Sequence, residues 1–381
     1  MPISSFSISE IIPNLISGLI TYIPDVYQET FGLSGMAKEA KPQLEPKIQI
    51  RGKVYKRFVA SDIPEGSEAT QVKDTNFTDE FFTAPEYGRA FSVKAEDLIR
   101  NQAYIASFQT MSVQPDRVPT LMERIKLGSN LCIDQIKRSA DKQVKDILNN
   151  GTVILDNYDT IDFGRDNNNS ESITTANLKW TVANAATMKP LGDIKRWTEQ
   201  VATRGNSGGQ EFIVLMESTY AYNAMVNSDE WKDDSNQRRN YNINQVPGIT
   251  SKMNVNIPEG ALYRYTLVSN PAGPVHIFTY DQTYDVTAST QAKWLDNYKV
   301  YVIATDNMIQ RQPVKILTMS DFIAQSQVMK QTLAATPSMD GWLVTPEFNK
   351  ITNRSISFGI YRKFLTIPLT PNKMFTAITY S

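Results

Sequence analysis

The sequence feature that most constrains the fold is one long helix whose two ends are both marked by local residues. Thr120 and Glu123 form a capping box directly after a proline, and Gly151 follows two asparagines as a left-handed stop. At about 1.5 Å per residue, a helix over residues 121–149 would be roughly 40 Å long. We therefore expect this helix to span a domain.

The apolar residues of this helix recur at helical spacing and predict one buried stripe. They are Leu121, Ile125, Cys132, Ile136, Ala140, Val144 and Ile147. The residues opposite this stripe are charged and are predicted to face solvent. They are Lys126, Asp134, Lys137, Asp141 and Lys145.

Two short strands, an Asn-rich tract and Trp180 are predicted to follow the helix. Three aspartates, Asp156, Asp159 and Asp162, lie within this stretch at a spacing of three. A calcium-binding EF-hand loop needs ligands two residues apart. The sequence therefore predicts a polar hairpin connection here and no calcium site.

Composition indicates an ordinary soluble chain of two or three modules. The chain has 381 residues, 41% apolar residues and a formal net charge of -1. A near-neutral protein has no long-range field that would draw it onto nucleic acid, and the sequence has no Lys/Arg-rich tail. Any contact with DNA is expected to be local and non-specific.

No motif for catalysis, cofactor binding or metal binding stands out. The one cysteine, Cys132, lies on the predicted apolar stripe, and the one histidine, His276, lies in a segment that alternates like a strand. Neither a Cys/His catalytic pair nor a zinc site is expected from two such residues. The chain also lacks a phosphate-binding glycine loop and a Gly-x-Ser-x-Gly elbow. We expect no enzyme activity and no cofactor.

Residues 1–47 are interpreted as an N-terminal arm. A second capping box at Ser7 and Glu10 predicts a short amphipathic helix, in which Ile11, Leu15 and Leu19 share an apolar face. The run lacks a basic start and is interrupted by polar residues, so it is neither a targeting segment nor a membrane span. Such a face needs cover, from a neighbouring subunit or from the body of the same chain.

Residues 48–93 are predicted to form a long two-stranded excursion with a polar tip. The second extended segment runs from about Phe81 to Val93. An isolated ribbon is marginal in water, and its open edges invite pairing with another chain. The candidate inter-subunit contacts of the excursion are Asp62, Glu65, Glu68, Lys73, Phe81 and Phe82. The alternative is a hairpin folded over its own domain.

A compact α/β module is predicted after Trp180. Its expected elements are a helix from Pro190, a buried strand at Phe212–Met216 and a helix capped by Ser218. A charged loop is expected over residues 229–244, and strands near residues 262–268, 275–280 and 298–304. The chain is expected to end in strands over residues 351–380.

Taken in order, four blocks of the chain resemble the major capsid protein E family of tailed bacteriophages, the lambda-like branch of the Hong Kong 97 capsid fold. The blocks are Val59–Glu68 with Phe82, Pro85 and Tyr87; the long helix with Ile161–Arg165 and Trp180; Glu211–Met216 with Tyr220–Tyr222; and Trp342–Thr345 with the final strands. The arm and residues 314–339 have no counterpart in the family that we can place.

The resemblance implies an α+β Hong Kong 97-like fold divided into the following regions. They are an arm (1–47), an extended loop (48–93), a peripheral domain with a spine helix (94–189), an axial domain (190–310), an insertion or connection (311–350) and returning C-terminal strands (351–381).

It also implies a major capsid protein that assembles with itself into hexamers and pentamers of an icosahedral virion shell. Scaffolding, portal and decoration proteins are further partners of such a shell, with non-specific contact to packaged DNA and none to a membrane. Assembly would take place in the host bacterial cytoplasm.

Two alternatives are an encapsulin-type compartment shell and a cytoplasmic enzyme with an unrecognised site. The arm favours the phage protein over an encapsulin.

Overall fold

The computed structural model describes residues 32–45, 47–53, 77–94, 121–156, 160–237, 265–268, 271–287, 289–307, 309–316, 342–348 and 355–380. Its α-helices are α1 Leu121–Asn150, α2 Pro190–Arg204, α3 Asn223–Asn227 and α4 Asp229–Gln237. Its strands are β1 Lys38–Glu39, β2 Lys47–Lys53, β3 Phe77–Thr83, β4 Glu86–Lys94, β5 Thr152–Val153, β6 Ile161–Asp162, β7 Ser170–Ser172, β8 Phe212–Met216, β9 Tyr265–Val268, β10 Val275–Thr279, β11 Thr283–Thr287, β12 Thr290–Lys293, β13 Lys299–Ala304, β14 Ile309–Val314, β15 Trp342–Phe348, β16 Ser355–Pro368 and β17 Met374–Ile378.

A six-stranded mixed sheet forms the centre of the fold, in the order β7-β17-β13-β8-β10-β9. Strands β8 and β10 pair in parallel, whereas β13 pairs antiparallel with both β8 and β17. Every residue of β8 is buried, as expected for a continuous apolar run in a sheet covered on both faces. The prediction of a buried strand at Phe212–Met216 is confirmed.

Each face of this sheet has its own apolar core. Phe212, Val214 and Met216 pack with helix α2 on one face, where the Trp180 and Trp197 rings stack 5.6 Å apart. Alternate residues of β8 belong to the other core, together with apolar residues of α1 and β16. The central sheet therefore lies between α2 and the layer formed by α1 and the second sheet.

The second sheet has five strands, and the long strand β16 holds it together. Strands β14 and β15 pair antiparallel with β16, and β4 also pairs antiparallel with β16 over Glu86–Lys94. This is a correction to the sequence-based expectation. The segment from Phe81 to Val93 is not one strand of a ribbon, because Ala84 and Pro85 interrupt it and β4 joins the body.

The long helix is confirmed over Leu121–Asn150, and Gly151 ends it with a φ of 71°. The predicted stripe is buried from Cys132 to Ile147. Two of the residues expected in solvent are buried instead, Lys137 and Asp141. Residues 32–36 cover Asp141, and Lys137 lies four residues earlier on the same side of the helix.

The α/β module differs from the prediction in two places. Glu217, not Ser218, caps the turn that follows β8, because its carboxylate accepts hydrogen bonds from the Thr219 and Tyr220 amides. The charged segment expected as a loop begins with helix α4, whose N-terminus is capped by the Ser228 hydroxyl. Glu230 of α4 also accepts hydrogen bonds from the first amides of α2.

Strands are present at the other predicted positions, and β11, β12 and β14 are additional to the prediction. Strands β9, β10 and β13 lie at the three predicted positions, and β16 and β17 form the C-terminal end. Strands β5 and β6 pair antiparallel, as a hairpin requires, and residues 157–159 of its connection lie outside the described residues. No helix within the described ranges is both long enough and apolar enough to cross a membrane.

Candidate assembly surfaces

Strands β2 and β3 form a separate two-stranded ribbon, with Ile48 opposite Phe82 and Gln49 opposite Phe81. The base of the ribbon is attached to the body, because Ile48 is buried and the Phe82 ring contacts Phe163 edge-on at 6.5 Å. Phe81 lies on the other face and is 61% exposed. The ribbon thus presents one apolar side chain to its own core and one to the outside.

Of the residues predicted to contact a neighbour, Phe81 and Phe82 lie in β3. Phe82 packs against the core of its own chain, whereas the exposed Phe81 is available to a partner. The other predicted contact residues lie outside the described residues. They are Ile11, Leu15, Leu19, Asp62, Glu65, Glu68 and Lys73.

The described end of the N-terminal segment docks on the body of its own chain. Strand β1 pairs in parallel with the edge strand β14, and Gln43 continues this pairing through hydrogen bonds with Pro313 and Lys315. The Ser34 amide donates a hydrogen bond to Oδ1 of Asp141 on α1, at 2.6 Å. Burial raises the pKa of Asp141, which this hydrogen bond and nearby Arg311 partly offset.

Two arginines are buried where this segment meets the five-stranded sheet. Arg362 is 1% exposed, and Arg311 is also buried. Glu39 of β1 accepts from both, at 3.3 Å from Arg311 Nη1 and in direct contact with Arg362. The Arg362 guanidinium also lies 4.7 Å from the centre of the Trp342 ring. One carboxylate therefore partners two buried cations and ties the segment to the sheet.

Helix α1 has two exposed leucines on its solvent side. Leu127 is 59% exposed and Leu131 is 65% exposed. They are four residues apart, so they lie one above the other on the same face. We call this pair the leucine patch.

Three tyrosine rings form a second surface. Tyr298 lies between Tyr220 and Tyr380, with ring centres 5.0 Å and 4.9 Å away. Lys293 and Lys179 lie over the two outer rings, at 5.9 Å and 5.2 Å. Tyrosines with flanking cations combine apolar area with polar tips, a composition that suits protein contacts.

The one cysteine and the one histidine of the chain both lie in buried positions. Cys132 is buried on α1, and burial raises the pKa of its thiol, so a reactive thiolate is disfavoured. Burial lowers the pKa of His276 in β10, although Glu211 lies 3.3 Å from its Nε2. Within the ranges that the structure describes, no group of three or more His, Cys, Asp or Glu side chains could hold a metal ion.

Several of these features were not predicted. Glu39 and its arginine partners are 272 and 323 residues apart, so no local pattern joins them. The sequence could have indicated the leucine patch, since both leucines fall outside the predicted buried stripe. No sequence pattern indicates the tyrosine surface, because its three rings come from distant parts of the chain.

Comparison with known proteins identifies the family. The model of the phage major capsid protein E family matches residues 16–340. A candidate capsid protein from a prophage of E. coli CFT073 has a similar structure, with a TM-score of 0.56 and 10% identity over 95% of this chain and 98% of that chain. No curated protein matches the sequence.

A phage-related protein of Bordetella bronchiseptica RB50 is similar with a TM-score of 0.50 and 8% identity, over 94% of this chain and 96% of that chain. At these identities the two structures support the mixed α+β fold, which is consistent with a Hong Kong 97-like capsid fold. The family model carries the assignment, since it spans most of the sequence. The chain therefore belongs to the phage major capsid protein E family, whose members form the shell of the virion and are structural proteins, not enzymes.

Proposed function

We propose that this chain assembles into the pentamers and hexamers of an icosahedral head that encloses the genome of a tailed double-stranded DNA phage. The observation that carries this proposal is the family match over residues 16–340, joined to a two-stranded ribbon of β2 and β3 that pairs with no other described strand. A two-stranded ribbon is marginal when solvated alone. It gains cover when it lies on the next subunit of a ring, and heterologous contacts of this kind close rings.

In this proposal the regions have the roles that the fold of such shells implies. Residues 48–93 include the extended loop, α1 is the spine helix of the peripheral domain (94–189), and the module over 190–310 is the axial domain. Residues 311–350 connect the domains, and residues 351–381 return to them. Strands β14, β15 and β16 support this connection, because the first two lie in or border that region and both pair with β16.

The contacts with neighbouring subunits come from the arm and the ribbon. The proposed contact residues are Ile11, Leu15, Leu19, Asp62, Glu65, Glu68, Lys73, Phe81 and Phe82. Phe81 is the best supported of them, because it is a large apolar side chain that stays exposed beside a core-facing neighbour. Phe82 contributes by fixing the base of the ribbon.

Further partners follow from a shell that holds DNA. Scaffolding, portal and decoration proteins would meet this subunit during assembly in the bacterial cytoplasm. Contact with the packaged DNA would be non-specific, and the net charge of -1 supports weak attraction to phosphate.

The test is assembly itself. The native chain, expressed with any helper proteins it requires, should sediment as large particles that appear as shells by electron microscopy. A variant lacking residues 62–76 keeps both ribbon strands, since β3 begins at Phe77. It should remain folded but fail to form shells. Normal shells from this variant would refute the role of the loop, and a native chain that stays a small soluble protein would refute the function.

A matched pair of point variants refines the test. Phe81→Ser and Val286→Ser each remove one exposed apolar side chain, 61% and 57% exposed respectively. Both should keep the thermal stability of the subunit, because neither side chain is in a core. Only Phe81→Ser should lower the yield of shells. Equal yields from the two variants would remove Phe81 from the proposed contact.

A further inference from the structure

The tyrosine surface lies where three neighbouring strands of the central sheet end or begin. Tyr298 comes directly before β13, whereas Tyr220 and Tyr380 follow β8 and β17. Because β13 pairs antiparallel with both of these strands, its first residues lie beside their last ones. The Thr379 amide also donates a hydrogen bond to the Tyr298 carbonyl, at 2.7 Å. Backbone pairing therefore holds the three tyrosines together at one end of the sheet.

The three rings are in contact with one another and reach solvent. Tyr298 is half-buried between the other two rings, whose centres are 5.0 Å and 4.9 Å from its own. Tyr220 is 42% exposed and Tyr380 is 46% exposed. The ring planes are inclined by 55° and 37°, so ring edges as well as faces come close together. Those edges carry the carbon atoms next to the hydroxyl group, through which phenols couple.

The one thiol of the chain does not compete with these phenols for an oxidant in solution. Cys132 is buried on α1, and burial raises the pKa of its thiol, which disfavours the reactive thiolate. At the tyrosine surface, Lys293 lies over the Tyr220 ring and pairs with the buried Glu217 carboxylate, so this ring is held in place. An oxidant in solution therefore meets these phenols before it meets the thiol.

We propose that the tyrosine surface is a site of oxidative cross-linking, at which a one-electron oxidant joins Tyr298 covalently to Tyr220 or to Tyr380. Each phenol of the pair gives one electron to the oxidant and its hydroxyl proton to water. The two phenoxyl radicals then form a carbon–carbon bond between ring positions next to the hydroxyls. Both phenols are restored when the hydrogens at these positions move, as protons, to the oxygens. The product, dityrosine, has two hydrogen atoms fewer than the two tyrosines.

Both partners of this bond come from one chain. Tyr298 contacts the other two rings within a single subunit, so the effective concentration of one phenol at the next exceeds what a second copy supplies in dilute solution. The new bond joins the ends of two adjacent strands and leaves the subunit a monomer. The site goes beyond the proposed shell function, since it belongs to the folded subunit whether or not shells form.

Photo-oxidation of the dilute full-length subunit tests the site. A ruthenium polypyridyl complex excited by visible light, with persulfate as the electron acceptor, supplies the one-electron oxidant. The monomer band of a denaturing gel should gain dityrosine fluorescence. Peptide mass mapping of this band should find Tyr298 joined to Tyr220 or Tyr380, with the mass of the linked peptides two hydrogen atoms below their sum.

Phenylalanine variants assign the bond, because phenylalanine keeps the ring and lacks the hydroxyl. Tyr298→Phe removes the shared partner and should lower the amount of linked monomer several-fold. Tyr220→Phe combined with Tyr380→Phe removes both outer partners and should have the same effect by an independent route. Tyr284→Phe is the matched control, since Tyr284 is also half-buried and its ring stacks on Trp294. This control should couple as the native chain does.

Four results would overturn the inference. Equal amounts of linked monomer from the native chain and from Tyr298→Phe would place the bond elsewhere, and so would mapped links between other tyrosines only. Dityrosine confined to dimers would show that the coupling joins separate copies. A native chain that forms no dityrosine under conditions in which added free tyrosine does would show that the three rings do not couple.

Discussion

At the residue scale, Glu39 links the N-terminal segment to the five-stranded sheet. It is the carboxylate partner of Arg311 and of Arg362, which is almost fully buried. Removing one member of a buried ion pair costs about 3–5 kcal/mol, because the other charge stays buried. Glu39 itself is partly exposed, so we expect Glu39→Gln to lower the free energy of unfolding by about 2 kcal/mol.

Chemical denaturation of the unassembled subunit measures this loss. Glu45→Gln is the matched control, since Glu45 is an exposed carboxylate of the same N-terminal segment. Its unfolding free energy should stay close to that of the native chain. If both variants unfold at the same denaturant concentration, the two arginines are stabilised by their other partners, such as the Ser34 carbonyl and the Trp342 ring, and not by Glu39.

The single histidine gives a prediction for pH. Burial lowers the pKa of His276 below its ordinary value of about 6.5, so protonation is less favourable in the folded chain than in the unfolded one. The unfolded state then binds more protons, and the stability from neutral His276 is present above about pH 6.5 and lost as pH falls through the lowered pKa. His276→Gln should therefore flatten the decline in stability on acidification below about pH 6.5.

Urea unfolding of both proteins at several pH values tests this, and the difference between the two curves isolates the histidine from the carboxylates. The unfolding free energy of the native chain minus that of the variant should be constant above about pH 6.5 and decrease as the pH falls below it. Parallel curves over the whole range would mean that His276 titrates equally in the folded and unfolded chains.

At the scale of single elements, α1 connects the N-terminal segment, the central sheet and the strands of the second sheet. Ile136 lies on its buried stripe and is 1% exposed, whereas the neighbouring Gln135 is exposed. Ile136→Glu would bury an unpaired carboxylate and should cost at least about 2 kcal/mol. Gln135→Glu adds the same side chain on the solvent side and should be nearly neutral. Equal thermal midpoints for the two variants would show that the stripe is not a core.

Elements with local signals could be predicted from the sequence, and their pairings could not. Gly151 marks the C-terminal end of α1, and Pro190 marks the start of α2. The apolar run of β8 predicts a strand covered on both faces. The position of β1 beside β14 depends on contacts more than 270 residues apart. For the same reason the helical spacing of α1 predicts Asp141 in solvent, although the segment that covers it lies 107 residues earlier.

At the scale of the whole molecule, the described part of the N-terminal segment belongs to the body of the subunit. Residues 32–45 contact this body, although they lie within the predicted arm of residues 1–47. Leu33 and Met36 are fully buried in one of the two cores, and Glu39 holds the buried arginines. Residues 32–45 are therefore part of the subunit, and the part of the arm proposed to reach a neighbour is residues 1–31.

This division predicts different outcomes for two truncations. A chain lacking residues 1–31 retains β1, the buried side chains of residues 33–36 and the Glu39 contacts. It should unfold at nearly the temperature of the native subunit but fail to form shells. A chain lacking residues 1–45 exposes the edge of β14, leaves two buried arginines without their carboxylate and opens the core around α1. It should give little soluble subunit, because an open strand edge also promotes aggregation.

Soluble yield, thermal midpoint and electron microscopy of the two truncations separate folding from assembly. The difference in stability between the two truncations is the informative result, since both lack residues 1–31 and only one also lacks residues 32–45. If the shorter truncation is as unstable as the longer one, residues 1–31 act within their own subunit. If the longer truncation is as stable as the native chain, the contacts of Ser34 and Glu39 contribute little, and the body of the subunit begins after residue 45.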